Sequence, residues 1–230
     1  MLVQISNSPG PDFGCPGLIG ATIRYALDQE IHGEAEDVRS IYKVITGAVR
    51  RHKLLSDGRR QIESFHLPGD FFGFESGPTY RLTAEAIVDS VVVVFDRRMI
   101  EYCAMCNARA ARWLWQLAMR QLNHAADHML LLGRKTALER VADFVVEMDA
   151  RMRPTGAMGL PMMRRDIADY LGLTVETVSR MISRLAADGV IKVARKHIKV
   201  LRPFTIDELQ NVVSDDNRVS RKEISRHLFI

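Results

Sequence analysis

The chain has 230 residues, of which 47% are hydrophobic and 26% are charged, and its formal net charge is +4. Its longest apolar run, Val91–Phe95, is far shorter than the roughly 20 residues that cross a bilayer, so no membrane-spanning helix is predicted. The N-terminus has no basic start followed by an apolar stretch, and three cysteines are too few for a disulfide framework, so we expect a cytoplasmic protein.

The first hundred residues are predicted to form a loose arm and then a β-rich domain. Residues 1–20 are rich in Gly, Pro and Ser and show no periodicity. Residues 38–100 contain short alternating or β-branched segments, the last of them a single strand in LTAEAIVDSVVVVFD. Turns separate these segments, as in the hairpin centred on Asp57 and Gly58. Many short strands with a turn about every 8–12 residues are typical of a sandwich or a barrel.

One long helix is predicted from about Glu101 to Gly133, because no Pro or Gly interrupts that stretch. Its apolar residues alternate spacings of four and three, which is the pattern of a helix-pairing seam over three heptads. The seam consists of Ala111, Trp115, Ala118, Leu122, Ala125, Met129 and Leu132. Such a seam needs a partner, either a second copy of the chain or the face of the β-rich domain. Its small alanines favour the close approach of two helices in a parallel dimer.

The stretch from Arg164 to Ile191 has the residue spacing of a helix-turn-helix. A short helix is predicted from Arg164 to Tyr170, and Gly172 can adopt the positive φ that a sharp corner requires. Thr174 is a suitable N-cap for the helix that follows, and Ala168 is small where the two helices touch. The positions that we expect to be buried between the helices are Ile167, Leu171, Leu173, Val178 and Met181.

The second helix of this motif and the hairpin after it are predicted to contact DNA. Glu176 can accept from cytosine N4, and Arg180, four residues later on the same face, can donate twice to guanine. The alternative is an exposed salt bridge between them, which contributes about 0.3–0.5 kcal/mol. VIKVARKHIKVL is predicted to form a basic wing whose tip, Arg195 and Lys196, either reaches phosphates or is simply solvated. Residues 161–203 contain nine Lys/Arg against four Asp/Glu, a net charge of +5, which indicates a polyanionic partner or a solvated basic face.

The order of β-rich domain, long helix and winged helix-turn-helix resembles the CRP/FNR superfamily of bacterial transcription regulators, and in particular its FixK-like branch. The resemblance is carried by IYKVITGAVR, HLPGDFFG, LGRKTALERVADFV and IADYLGLTVETVSR, which lie within residues 38–203. It implies an α+β fold with an N-terminal cyclic-nucleotide-binding-like β-roll, a long dimerisation helix and a C-terminal winged helix-turn-helix. The implied boundaries are 1–20 for the arm, 21–100 for the roll, 101–136 for the dimerisation helix, 137–203 for the DNA-binding domain and 204–230 for a C-terminal helix and polar tail.

The resemblance also implies a function. A member of this branch is a homodimeric activator that binds TTGA-type inverted repeats in double-stranded DNA, works with RNA polymerase and controls genes of low-oxygen respiration, denitrification or nitrogen fixation. Glu176, Ser179 and Arg180 resemble the base-reading set of the FNR branch. Val175 stands where CRP has an arginine, so the target preference of CRP is not expected. Contacts to the DNA backbone are predicted for Arg164, Thr174, Thr177, Ser183, Arg184 and Lys196.

Compared with CRP, the predicted roll lacks the residues that hold a cyclic nucleotide. CRP binds cyclic AMP through a Gly-Glu pair after a turn and an Arg-Ser pair downstream. Here the turn Gly69–Gly73 is followed by Phe74 and Glu75, so the glutamate is replaced or shifted by one position, and Arg81 is not followed by serine. A shift of one residue along a strand reverses the face that the side chain occupies. We therefore expect no cofactor, with a ligand-dependent regulator that binds a nucleotide or haem as the alternative.

The three cysteines do not suggest an iron–sulfur site of the FNR type, because Cys15 is alone near the N-terminus and a cluster needs about four ligands. Cys103 and Cys106 form a C-x-x-C pair on a predicted helix, where they are either small apolar residues or a redox pair. Two ligands without a second pair are weak evidence for zinc. No metal site and no catalytic constellation are predicted, so we do not expect an enzyme.

Overall fold

The computed structural model describes residues 6–9, 18–152, 159–194 and 197–201. They belong to two compact units. The first unit contains the chain up to Arg134 together with Pro161–Val175, and the second contains Lys135–Leu160 and the chain from Glu176 onwards. Among the residues singled out in the sequence, Cys15, Arg195, Lys196 and the C-terminal segment 204–230 lie outside the described ranges.

Within the described residues, the first unit contains nine β-strands in two antiparallel sheets. The strands are β1 (Ser6–Pro9), β2 (Ile19–Tyr25), β3 (Glu30–His32), β4 (Ser40–Thr46), β5 (Val49–Leu54), β6 (Arg60–His66), β7 (Phe71–Phe72), β8 (Thr83–Ala86) and β9 (Ser90–Asp96). One sheet has the order β1-β2-β9-β4-β7 and the other β3-β8-β5-β6. Alternate residues of both sheets, among them Val44, Val49, Ala84 and Val92, point into one shared core. The predicted β-roll is thus confirmed.

Two details of the first hundred residues differ from the prediction. Ser6–Pro9 lies in the predicted arm but forms β1, which pairs with β2 and places Pro9 opposite Ile19. Pairing at a sheet edge uses backbone groups and tolerates proline, so a composition rich in Gly, Pro and Ser does not prevent it. LTAEAIVDSVVVVFD forms two strands, β8 and β9, because the chain bends at 87–89 and passes from one sheet to the other.

The prediction of one helix from Glu101 to Gly133 is wrong in its first part. The structure has α1 (Arg97–Cys106) and α2 (Ala108–Arg134), separated by Asn107 in an extended conformation with φ −137° and ψ 113°. The Asn107 side-chain oxygen accepts hydrogen bonds from the backbone N–H groups of Arg109 (2.8 Å) and Ala110 (3.3 Å). Asparagine is a strongly preferred N-cap, and it starts the new helix without any Pro or Gly that would reveal the break.

One face of α2 packs on the roll. Ala110 and Leu117 are buried in a cluster that includes Phe71 of β7. The Trp113 ring meets the Phe71 ring edge-on, with centroids 4.9 Å apart. The Gln121 amide nitrogen donates to the Phe71 carbonyl oxygen at 3.3 Å. The first half of α2 is therefore fixed to the roll.

The helix-turn-helix region contributes the remaining elements. They are α3 (Ala137–Met152), α4 (Arg164–Leu171), α5 (Val175–Ala187), β10 (Ile191–Ala194) and β11 (His197–Val200). β10 and β11 form an antiparallel hairpin with Ala194 opposite His197, as predicted for the wing, and β11 lies against α3. Of the helices in the described ranges, none has the combined length and apolar character that a bilayer-crossing segment requires.

Candidate nucleic-acid interface

The turn of the predicted helix-turn-helix is present in the structure. α4 ends at Leu171, and Gly172 takes the left-handed conformation with φ 62° and ψ 40°. The backbone N–H groups of Gly172 and Leu173 both donate to the Ala168 carbonyl oxygen, which closes the end of the helix. Glycine adopts this conformation without the steric cost that a Cβ would impose. α5 then begins at Val175, directly after Thr174.

Three of the five apolar positions predicted to be buried are buried. They are Ile167, Leu171 and Val178, whereas Leu173 and Met181 are half-buried, so the prediction is wrong for these two. The buried face of α5 consists of Val178, Ile182 and Leu185, which are spaced by four and three residues. Met181 lies at the edge of that apolar stripe. An α-helix has 3.6 residues per turn, so Met181 and the next residue, the buried Ile182, do not lie on the same face.

The other face of α5 carries the predicted base-reading residues. Glu176, Ser179, Arg180 and Ser183 are exposed, as is Thr174 before the helix. Thr177 and Arg184 are half-buried, and Arg184 Nε lies 4.0 Å from Asp188 Oδ2. Arg180 forms no hydrogen bond or ion pair with any residue that the structure describes, so the alternative of a salt bridge with Glu176 is not realised. Its guanidinium is therefore available to an external acceptor.

Arg164, at the first position of α4, is a second cation for which the described residues provide no hydrogen-bond or ion-pair partner. It is half-buried, and burial lowers the pKa of its guanidinium. Within the described ranges no carboxylate or carbonyl oxygen compensates this loss of hydration. A partly dehydrated cation at the start of a helix is well suited to bind a phosphate. The phosphate oxygens would supply the negative charge and the hydrogen-bond acceptors that the described residues do not provide.

The predicted seam of α2 is exposed along almost its whole length. Ala111, Trp115, Ala118, Leu122, Ala125 and Met129 are exposed, and Leu132 is half-buried. Trp115 and Leu122 leave 65% and 60% of their surface accessible. The roll packs on a different face of α2, so the alternative that the seam covers the β-rich domain is wrong. The exposed apolar stripe is what one half of a helix-pairing interface looks like in a single chain.

The roll interior does not offer a free carboxylate at the position where CRP holds the ribose. The Glu75 side chain is buried, and its Oε1 accepts from Arg51 Nη2 at 2.8 Å. Arg51 Nη1 lies a further 3.8 Å from Glu63 Oε2. Arg81 is exposed. Glu75 thus already has a cation within the protein, Arg51, and Arg81 is not part of this pair.

His32 is a buried histidine whose ring stacks on two tyrosines of the roll. Its ring centroid is 3.7 Å from that of Tyr80 and 5.4 Å from that of Tyr42, and neither ring nitrogen has a hydrogen-bond partner among the described atoms. Burial, reinforced by the positive charge of Arg51, lowers the pKa of His32 to about 3. His32 is therefore neutral in the folded protein at physiological pH.

His32→Phe is expected to weaken the acid sensitivity of the roll. The pKa of His32 is about 3 when folded and 6.5 in its ordinary state, so between these pH values only the unfolded chain binds the proton. The contribution of His32 to the free energy of unfolding is therefore complete above pH 6.5 and falls by about 1.4 kcal/mol per pH unit as the pH decreases toward 3. Phenylalanine keeps the stacking and does not titrate, so the variant lacks this loss.

Urea unfolding followed by tryptophan fluorescence at pH 7.0 and pH 5.0 measures the effect. At neutral pH the variant should differ from the wild type by less than about 1.5 kcal/mol, since the two rings have similar shape. At pH 5.0 the free energy of unfolding of the variant should be higher relative to that of the wild type than it is at pH 7.0. An equal difference at both pH values would show that His32 remains accessible to protons in the folded state.

The C-x-x-C pair is split between two environments. Cys103 is half-buried and packs against the cluster of the roll and α2, whereas Cys106 is exposed at the end of α1. In the described part of the chain, no three His, Cys, Asp or Glu side chains are placed to hold a metal ion. Asp166, which is buried in α4, and its partners Arg50 and Arg60 were not predicted from the sequence as site residues.

Comparison with known proteins identifies both halves of the chain. Residues 22–105 match the cyclic nucleotide-binding domain family, and residues 139–209 match the Crp-like helix-turn-helix domain family. The nitrogen fixation regulation protein FixK of Rhizobium meliloti is 40% identical over 204 residues, which cover 88% of this chain and 92% of that protein. FixK of Azorhizobium caulinodans is 42% identical over 189 residues, covering 80% and 76%. The structure of FixK2 from Bradyrhizobium japonicum matches with 53% identity and a TM-score of 0.77, covering 80% of this chain and 94% of that one.

Proposed function

This chain belongs to the FixK branch of the CRP/FNR family of transcription regulators, and on that premise we propose that it activates transcription by binding inverted repeats with TTGA-type half-sites as a homodimer. The FixK proteins of Rhizobium meliloti and Azorhizobium caulinodans named above are nitrogen fixation regulation proteins. We extend this role to the present chain as the control of genes for low-oxygen respiration, denitrification or nitrogen fixation, with RNA polymerase as the protein partner.

The observation that carries the proposal is Arg180 on the exposed face of α5, which pairs with no residue that the structure describes. A guanidinium that already had a carboxylate partner would have to give it up before it could bind guanine. Glu176 and Ser179 lie on the first turns of the same helix, which are the turns that enter the major groove in this motif. Arg164 and the wing residue Lys196 supply contacts to phosphates, together with Thr174, Thr177, Ser183 and Arg184.

The homodimer provides the symmetry that an inverted repeat requires. Two copies related by a twofold axis place two α5 helices in major grooves that face the same side of the duplex, about 10–10.5 bp apart. The seam of α2 is the surface that we assign to this dimer, because it is apolar, follows a heptad spacing and is exposed in the single chain. Cyclic AMP is not required in this scheme, since Arg51 already neutralises Glu75.

Fluorescence anisotropy on two labelled duplexes tests the function. One duplex carries a TTGA-type inverted repeat and the other a scrambled sequence of the same composition, and both are measured at one fixed salt concentration with and without cyclic AMP. Binding to the repeat is expected to be at least about 10³-fold tighter than to the scrambled duplex, without nucleotide. Equal binding to both duplexes would contradict the proposed function. Specific binding that requires cyclic AMP, or a haem absorption band in the purified protein, would favour the ligand-dependent alternative.

Arg164→Ala is expected to weaken binding to the repeat and to the scrambled duplex by similar factors. A phosphate contact carries no sequence information, and its loss should reduce the slope of log K against log salt by about one per subunit. Anisotropy titrations at several salt concentrations measure this slope. Arg81→Ala removes the same charge from an exposed position of the roll and should leave the slope unchanged. A loss confined to the repeat would instead assign Arg164 to base recognition.

A further inference from the structure

α4, the first helix of the helix-turn-helix, is joined to the roll by a buried ionic cluster. Asp166, in the first turn of α4, is 4% exposed, and its Oδ1 accepts from Arg60 Nη2 at 2.6 Å and from Arg50 Nη1 at 3.1 Å. Its Oδ2 accepts from the Met163 backbone N–H at 3.2 Å, directly before the helix. One carboxylate thus caps α4 and anchors it to two arginines of β5 and β6. We call the cluster of Arg50, Arg60, Asp166 and Asp169 the α4 junction.

The two arginines are themselves held in place by the sheet. Arg50 Nε and Nη2 donate to Glu85 Oε2 at 2.9 and 2.7 Å, and Nη2 also donates to Asp28 at 3.0 Å. Arg60 Nε donates to Asp169 Oδ2 at 2.8 Å, one turn of α4 beyond Asp166. A fixed, planar guanidinium offers its N–H donors in one geometry. The Asp166 carboxylate bound to it therefore has less freedom of position than a carboxylate in a flexible surface ion pair.

The other end of α4 is fixed to α2. The Tyr170 ring stacks on the His128 ring with centroids 4.1 Å apart and an interplanar angle of 11°. His128 Nε2 lies 3.0 Å from the Tyr170 carbonyl oxygen, and the Phe65 ring of β6 packs on Tyr170 at 5.2 Å. α2 is the helix that carries the seam. α4 and the seam therefore belong to one compact unit, although about thirty residues of chain separate them.

We propose that Arg60 and Asp166 are positioning residues for DNA binding: the α4 junction fixes α4, and with it Arg164, relative to the dimer seam. The inference rests on the proposed function and deepens it. In a twofold dimer the separation of the two α4 helices follows from where each lies relative to its own α2. A rigid junction therefore sets the half-site spacing that the dimer accepts. Because α4 is already fixed in the free protein, less conformational entropy is lost when DNA binds.

The test measures how strongly binding depends on the spacing between half-sites. If the α4 junction only supported folding, its loss would not change this spacing preference. Three duplexes carry the same inverted repeat with the central spacer at its best length, one base pair shorter and one base pair longer. Each added base pair shifts and rotates one half-site relative to the other, by about one tenth of a helical turn. The wild type should prefer the best spacing, whereas Arg60→Ala should bind it about five- to tenfold more weakly and lose at least about half of the preference on a logarithmic scale.

Arg59→Ala is the matched control, because Arg59 is adjacent, exposed and paired with Asp57 rather than with α4. It should retain both affinity and spacing preference. Asp169→Asn is a milder variant that removes one ion pair at the rim of the junction and should shift both quantities in the same direction as Arg60→Ala. If Arg60→Ala is poorly folded by circular dichroism, Asp169→Asn carries the test.

The possible outcomes separate this inference from the proposed function. Specific binding by the wild type with an unchanged spacing preference in both junction variants would overturn the positioning role and leave the function intact. Tighter binding by the variants would also overturn it, since the junction would then restrain DNA binding. Failure of the wild type to distinguish the repeat from a scrambled duplex would overturn both.

Discussion

Arg180→Ala is expected to weaken binding to the inverted repeat by about 1–3 kcal/mol and to relax the choice of base at the contacted guanine. Arg180 projects from the exposed face of α5, opposite the buried Val178 and Ile182, and forms no bond with any described residue. Its removal therefore costs the folded protein little, and the loss falls on the complex with DNA. Binding to a scrambled duplex should change much less, because that binding depends mainly on phosphates.

Arg180→Lys sharpens this test. Lysine keeps the positive charge but lacks the planar fork that donates to guanine O6 and N7 together. The lysine variant should therefore bind scrambled DNA like the wild type and still lose discrimination at the guanine. Arg98→Ala, which removes a charge from an exposed position of α1, controls for the change in net charge. Equal losses on specific and scrambled duplexes would assign Arg180 to phosphate contact instead.

Leu122→Glu is expected to convert the dimer to a monomer and to reduce affinity for the inverted repeat by at least about 100-fold. Leu122 lies in the middle of the seam and leaves 60% of its surface exposed in the single chain. In a twofold interface the two copies of this position face each other, so the substitution places two like charges inside an apolar contact. A monomer engages one half-site and loses the gain that comes from binding both.

Sedimentation or light scattering measures the mass, and anisotropy measures the affinity in the same samples. Asn123→Glu is the matched control, because Asn123 is exposed and lies directly after the seam position, on the outer side of α2. It introduces the same charge and should remain dimeric. A dimeric Leu122→Glu variant that still binds the repeat would place the dimer interface elsewhere on the chain.

The parts of the fold that the sequence predicts are those set by local signals. The corner at Gly172 needs one residue without a Cβ, and the seam of α2 needs one face of regularly spaced apolar residues, so both can be recognised within a few turns of chain. The break at Asn107 is also local, but a capping asparagine inside a helical pattern is easily overlooked, because asparagine also occurs within helices.

The α4 junction could not be predicted in this way. Arg60 and Asp166 are 106 residues apart, and Arg50 and Asp166 are 116 apart. Neither periodicity nor capping links positions at that separation, and each residue on its own is an ordinary surface type. Their pairing depends on how the strands are ordered in the sheet, which local patterns do not encode.

The exposed seam of α2 has a consequence for the cell as well as for the molecule. If the pairing of subunits is weak at low abundance, the amount of assembled regulator rises with the square of the amount of chain that is synthesised. A modest increase in expression then produces a disproportionate increase in occupied promoters. A helix surface left apolar in the single chain would in this way make the genetic response steep without any small-molecule signal.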